Sequence, residues 1–233
     1  MLFAVLLCVF ALCFCLLKLR KEQPMSAPLT VHFIRHGEVH NPEQILYGRM
    51  PGYILSTRGR EQATAAANYI SQYLVDTLYI SPMERAQETA QIIAAAQTKP
   101  PFLITDERLN EVHTPYDGTK LAELEKTLFD LYTGNTEPHE YPRDARRRVL
   151  EFLAEKRQQH PNGRIAAVTH GDIVVTTFMY VTGGDPDDLG RLRLEERGLS
   201  ERYPVTASIL TLTYHTDQPN EIPTWSYHRP YDL

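Results

Sequence analysis

The 233-residue sequence predicts an α/β fold: a single three-layer domain with a mostly parallel central sheet and helices on both faces, preceded by a hydrophobic segment. Strand-like and helix-like stretches alternate through the body, as crossover connections between parallel strands require. Apolar residues make up 42% and charged residues 23%, enough to pack a core and too balanced for a disordered chain. The length suits one domain, with little room for a second.

Residues 30–34 (TVHFI) are β-branched and apolar and read as the first strand. Residues 58–74 read as a helix, with Ala63, Ala66, Ala67, Ile70 and Leu74 at helical spacing. Residues 76–80 (DTLYI) form a strand, 83–96 an alanine-rich helix and Phe102–Thr105 a short strand. Residues 120–132 and 144–159 read as helices joined by a loop holding Gly134, Pro138 and Pro142. Arg164–Thr169 (RIAAVT) is a strand, and 172–181 a buried helix stopped by Gly183 and Gly184. Residues 207–215 and Thr224–His228 are late strands, and 185–204 carry no readable pattern.

Met1 to Leu17 contain no polar side chain, and Lys18, Arg20 and Lys21 follow. This order favours a membrane anchor with the body, residues 25–233, on the cytoplasmic side. Met25 also opens a plausible start, which would make residues 1–24 a mis-assigned beginning of a cytoplasmic protein. Membrane contact is expected only if residues 1–24 are translated. The formal charge of -5 gives no electrostatic reason to bind nucleic acid. All three cysteines lie in the first 15 residues, so the body has no disulfide framework, cysteine-ligated zinc or cysteine nucleophile.

Three strands end in a polar turn carrying arginine or histidine: Arg35-His36-Gly37-Glu38, Ser81-Pro82-Met83-Glu84-Arg85 and His170-Gly171-Asp172. In an open parallel sheet such ends share the edge where ligands bind. Ser81 reads as an N-cap with Pro82 at the first helical position and Glu84 closing a capping box, which puts Arg85 in the first turn. Asp172 reads as a second N-cap, just after His170, and Gly37 as a place where a ligand approaches the backbone. Helix N-termini favour anions, and a guanidinium fork matches phosphate oxygens. Singly, each residue has an ordinary structural explanation; their joint placement carries the reading. His32, His36 and His40 have metal-face spacing only on a helix, and the β-branched run and Pro42 argue strand then loop. Arg143 and Arg146–Arg148 read as a solvated helix face.

These residues, with Leu55-Ser56…Gly59, Ala86, Arg108-Leu109-Asn110-Glu111 and Thr169, resemble in order the histidine phosphatase superfamily, phosphoglycerate mutase-like branch, over roughly residues 29–215. The resemblance implies that His36 is the nucleophile that becomes a phosphohistidine. It makes Arg35, Arg85 and His170 the rest of the phosphate pocket and Glu111 the proton donor. It implies no metal and no cofactor, and a small phosphorylated substrate. Two arginines and a cationic His170 are expected to stabilise the transferring group.

Some features depart from the family pattern. Val39 stands where the family often has threonine, and Asn41 comes one position early, so a phosphate contact from Asn41 is not expected. Glu111 is followed by Val-His-Thr-Pro-Tyr-Asp117-Gly118 rather than Gly-x-x-Glu-Gly. The arginine pair and proline run of glycolytic mutases do not follow it, which favours a phosphomonoester hydrolase over a phosphoglycerate mutase. From another class, a non-catalytic phospho-ligand binder would keep the same pocket, and His36→Ala would leave its affinity intact. Tyr47, Arg49 and Tyr53 are candidates for the entrance. Oligomeric state is not readable.

Overall fold

The computed structural model describes residues 29–187 and 193–232. The hydrophobic segment, and with it the anchor expectation, lies outside the described residues. Among the described residues no helix is long and apolar enough to cross a membrane.

The strands are β1 (Thr30–Arg35), β2 (Thr77–Ile80), β3 (Phe102–Thr105), β4 (Arg164–Thr169), β5 (Ile209–Thr213) and β6 (Thr224–His228), in the order β3-β2-β4-β1-β5-β6. β1, β2, β3 and β4 are mutually parallel, and β5 runs antiparallel to β1 and β6. The helices are α1 (Thr57–Ile70), α2 (Glu84–Ala95), α3 (Leu121–Leu124), α4 (Pro142–Gln159) and α5 (Gly171–Val181), with 3-10 turns at Glu107–Leu109, Glu125–Thr127 and Leu194–Arg197.

Strand alternation makes two cores. Val31, Phe33, Ile165 and Ala167 face α4 and α5, where Val149, Phe152, Ile173 and Phe178 meet them. Ile34, Leu78, Ala166 and Val168 face α1 and α2, where Ala66, Ala67, Ile70, Ala90 and Ile93 cover them. Small residues let α1 and α2 lie close on the sheet.

Three helix boundaries differ from expectation. α1 ends at Ile70, and Leu74 is 66% exposed; the chain turns at Ser71–Tyr73 and buries Val75 instead. The helix expected over 120–132 is the single turn α3 and a 3-10 turn. Leu128 adopts φ 53°, and the Phe129 and Leu128 N–H groups close on Leu124 and Glu125 carbonyls in a Schellman stop. α4 starts two residues early, with Pro142 at its first position and the Asp144 carboxylate accepting from the Tyr141 N–H at 3.0 Å.

Candidate active site

The C-terminal ends of β2, β4 and β1 lie side by side, so turns distant in sequence meet on one rim. Arg35 pairs in register with Thr169. The His36 N–H donates to the Thr169 carbonyl at 2.9 Å and the Ser81 N–H to the Val168 carbonyl at 3.0 Å. The ladder therefore continues into the turns and fixes their backbone.

His36 is buried, with Nδ1 2.7 Å from the Gly37 carbonyl oxygen and Nε2 3.2 Å from Arg85 Nε. A carbonyl only accepts and a guanidinium only donates, so Nδ1 carries the proton and Nε2 presents its lone pair. Burial, then Arg85 and Arg35, hold this ring well below the usual histidine range.

His170 is the opposite tautomer. Arg85 Nη2 lies 3.2 Å from its Nδ1, so Nε2 carries the proton and donates to Ser81 Oγ at 2.6 Å. Burial, then Arg85, push it well below the histidine range, so the ring is neutral rather than the expected cation. Arg85 also donates to the Gly48 carbonyl at 2.7 Å and lies 4.8 Å from the Tyr47 ring centroid.

Arg35 shares the face of Val31 and Phe33; it donates to the Pro204 carbonyl and lies 5.2 Å from the Tyr203 ring centroid. Its buried Nε–H has no hydrogen-bond partner among the described residues. Glu111 follows the 3-10 turn after β3, with Oε2 3.8 Å from His170 Nδ1 and Oε1 accepting from the Val112 N–H. Burial, then Asp172, push its carboxyl up to about 7 against Arg85 and Arg35. Arg85 thus contacts both His36 and His170, Glu111 lies 3.8 Å from His170, and Arg35 is close enough to act electrostatically on both rings.

Several local roles differ from expectation. Ser81 is not the N-cap of α2, which starts at Glu84 with no side-chain cap; its hydroxyl is committed to His170. Asp172 lies inside the first turn of α5 and accepts from the Tyr203 hydroxyl at 3.1 Å. At Gly37 the close approach is to Gly59, whose carbonyl oxygen would lie 2.3 Å from a Cβ. Asn41 is spent on the backbone of Ile45. His32 lies on β1 and bonds Thr211 Oγ1 at 2.9 Å, apart from His36. Arg148 is not solvated: it binds Glu140 and the carbonyls of Arg108 and Asn110, bracing the turn before Glu111. Tyr203, in the stretch with no pattern, offered no signal.

Residues 31–212 match the profile of the histidine phosphatase superfamily, branch 1. The chain is 29% identical over 158 residues to PhoE of Bacillus subtilis, an uncharacterized phosphatase, covering 67% of this chain and 79% of that protein. It is 32% identical over 185 residues to a 2,3-bisphosphoglycerate-dependent phosphoglycerate mutase of Thermoplasma acidophilum, covering 77% and 89%. The solved structure of Bacillus stearothermophilus YhfR matches the fold with a TM-score of 0.66 at 23% identity, covering 81% of this chain and 95% of that one. Because the profile runs unbroken from β1 into β5 and takes in every turn of the rim, this chain belongs to the histidine phosphatase superfamily.

Proposed function

We propose that the chain hydrolyses small phosphomonoesters through a phosphohistidine on His36. The orientation of that ring carries the reading: Gly37 fixes the proton on Nδ1, leaving the Nε2 lone pair beside Arg85. In the first step Nε2 attacks phosphorus, the N–P bond forms as the ester P–O bond breaks, and the leaving oxygen takes a proton from Glu111. In the second, water attacks phosphorus and gives a proton to the Glu111 carboxylate, while the N–P electron pair returns to Nε2 and inorganic phosphate departs. Arg35 and Arg85 hold the non-bridging oxygens in a buried setting where their charge acts strongly. A carboxyl near 7 suits alternation between acid and base.

The test is a quench of the protein with a radiolabelled phosphomonoester. Acid-labile, base-stable label is expected on the wild type and none on His36→Ala; label that survives the substitution overturns the reading. The mutase alternative moves the phosphoryl group within a phosphoglycerate, so inorganic phosphate release exceeding such transfer is the outcome expected here.

A further inference from the structure

Glu111 stands on neither a helix nor a strand. It follows the 3-10 turn Glu107–Leu109, and side chains hold the backbone around it in place of a ladder. The Arg108 and Asn110 carbonyls accept from Arg148 Nη1 at 2.7 and 3.1 Å. The Leu109 carbonyl accepts from Thr169 Oγ1 at 2.7 Å, and the Glu111 carbonyl from Arg49 Nε at 2.7 Å. His113 exchanges two bonds with Glu140: its N–H donates to the carboxylate and its carbonyl accepts from the Glu140 N–H, both at 2.8 Å.

These ties converge on the Glu140 carboxylate. Besides the His113 N–H it accepts from Arg49 Nη2 at 2.8 Å and from Arg148 Nε and Nη2 at 2.7 and 3.0 Å. One carboxylate therefore orients two guanidinium forks, and their remaining N–H groups reach the backbone at Arg108, Asn110 and Glu111. The Glu111 carboxyl depends on that backbone, because its Oε1 accepts from the Val112 N–H while the Glu111 N–H donates to Asn110 Oδ1.

We propose that Glu140, acting through Arg49 and Arg148, is the positioning residue that aims the Glu111 carboxyl at the leaving oxygen. This rests on the hydrolase reading, in which Glu111 is the acid. Glu140→Gln puts an amide NH2 among groups that only donate, so at least one tie breaks. Arg49→Lys keeps a cation for Glu140, but a single ammonium does not replace the fork that also holds the Glu111 carbonyl.

The experiment compares kcat/KM for benzyl phosphate and p-nitrophenyl phosphate. Both present one aromatic ring, but benzyl alkoxide needs a proton to leave and p-nitrophenolate does not. The benzyl to p-nitrophenyl ratio is independent of how much of a variant is folded, so a merely structural role would not move it. Glu111→Gln sets the reference, lowering the ratio by about 10²–10⁴-fold. Glu140→Gln is expected to lower it about tenfold, the scale of a small misplacement of a catalytic group, and Arg49→Lys by less. Inhibition by inorganic phosphate, which Arg35 and Arg85 bind, is expected to stay at the wild-type level in both. Equal losses on the two esters, or an unchanged ratio in Glu140→Gln, overturn the inference. If Glu140→Gln yields no folded protein, an unchanged ratio in Arg49→Lys overturns it. An unchanged ratio in Glu111→Gln sinks the acid role in the hydrolase reading instead, so the two failures are distinguishable.

Discussion

Arg85 Nε sits 3.2 Å from His36 Nε2 while Arg85 Nη2 sits 3.2 Å from His170 Nδ1, so one guanidinium plane addresses both imidazoles. Each contact donates to a ring nitrogen and stabilises its neutral form. The third anchor, the Gly48 carbonyl, sets the rotation of the plane.

Arg85→Lys keeps the charge and loses the fork. A single ammonium cannot reach both rings and Gly48 in this geometry. Steady-state kinetics on a folded variant should show kcat/KM lower by about 10²–10³-fold, the scale of one lost transition-state donor. A loss below tenfold would mean that the fork is not used.

The pH profile follows from Glu111 and His36. The first step needs protonated Glu111, whose carboxyl stands at about 7, so kcat/KM should fall as pH rises through neutrality. It also needs neutral His36, held well below its ordinary range, so the acid limb should lie well under pH 6.5. Glu111→Gln should lose the alkaline limb and slow alkyl phosphates by about 10²–10⁴-fold. With an aryl phosphate, whose leaving group needs no acid, the same variant should release a burst of about one equivalent and stall, because no base activates water. Full steady turnover by the variant would remove Glu111 from both roles.

The rim was legible because polar turns after β-branched runs mark strand ends, and parallel strands bring such ends to one edge. Arg35, His36, Arg85 and His170 were found by that logic, and Glu111 by resemblance. The hydrogen-bonding roles were not legible. Ser81-Pro82-Met83-Glu84 fits a capping box by residue type, and only the placement of β4 beside β2 shows that the hydroxyl serves His170 instead. Gly37 reads as room for a ligand until Gly59 is seen against it. Residues 120–132 keep a helical apolar spacing, yet Leu128 turns left-handed so that Leu124 and Leu131 both reach the core.

Ser81→Ala tests the His170 contact. It strands a buried Nε2–H that now donates at 2.6 Å. The cost should be about 1–3 kcal/mol in denaturant unfolding. The ring is also freed to take the other tautomer, which would remove the acceptor facing Arg85, so kcat should fall. Ser81→Thr, which keeps a hydroxyl, should recover part of both. Loss of stability without loss of kcat would confine Ser81 to a structural role.

His32 gives a stability prediction away from the site. Burial, then Arg164, lower its pKa from 6.5 to about 4, and its buried Nε2 has no hydrogen-bond partner among the described residues. Between these values the unfolded chain binds a proton that the native state refuses, so native stability falls as pH drops from about 6.5 toward 4. At one pKa unit per about 1.4 kcal/mol, the loss attributable to His32 approaches about 3 kcal/mol by pH 4. His36 and His170 titrate in the same direction, but they remain in a His32→Leu variant and cancel in the comparison. Urea unfolding at pH 7 and pH 4.5 should show the wild type losing about 2–3 kcal/mol more than His32→Leu over that interval. Parallel losses would mean that the His32 ring is protonated in the native state at little cost, against its burial beside Tyr73 and Arg164.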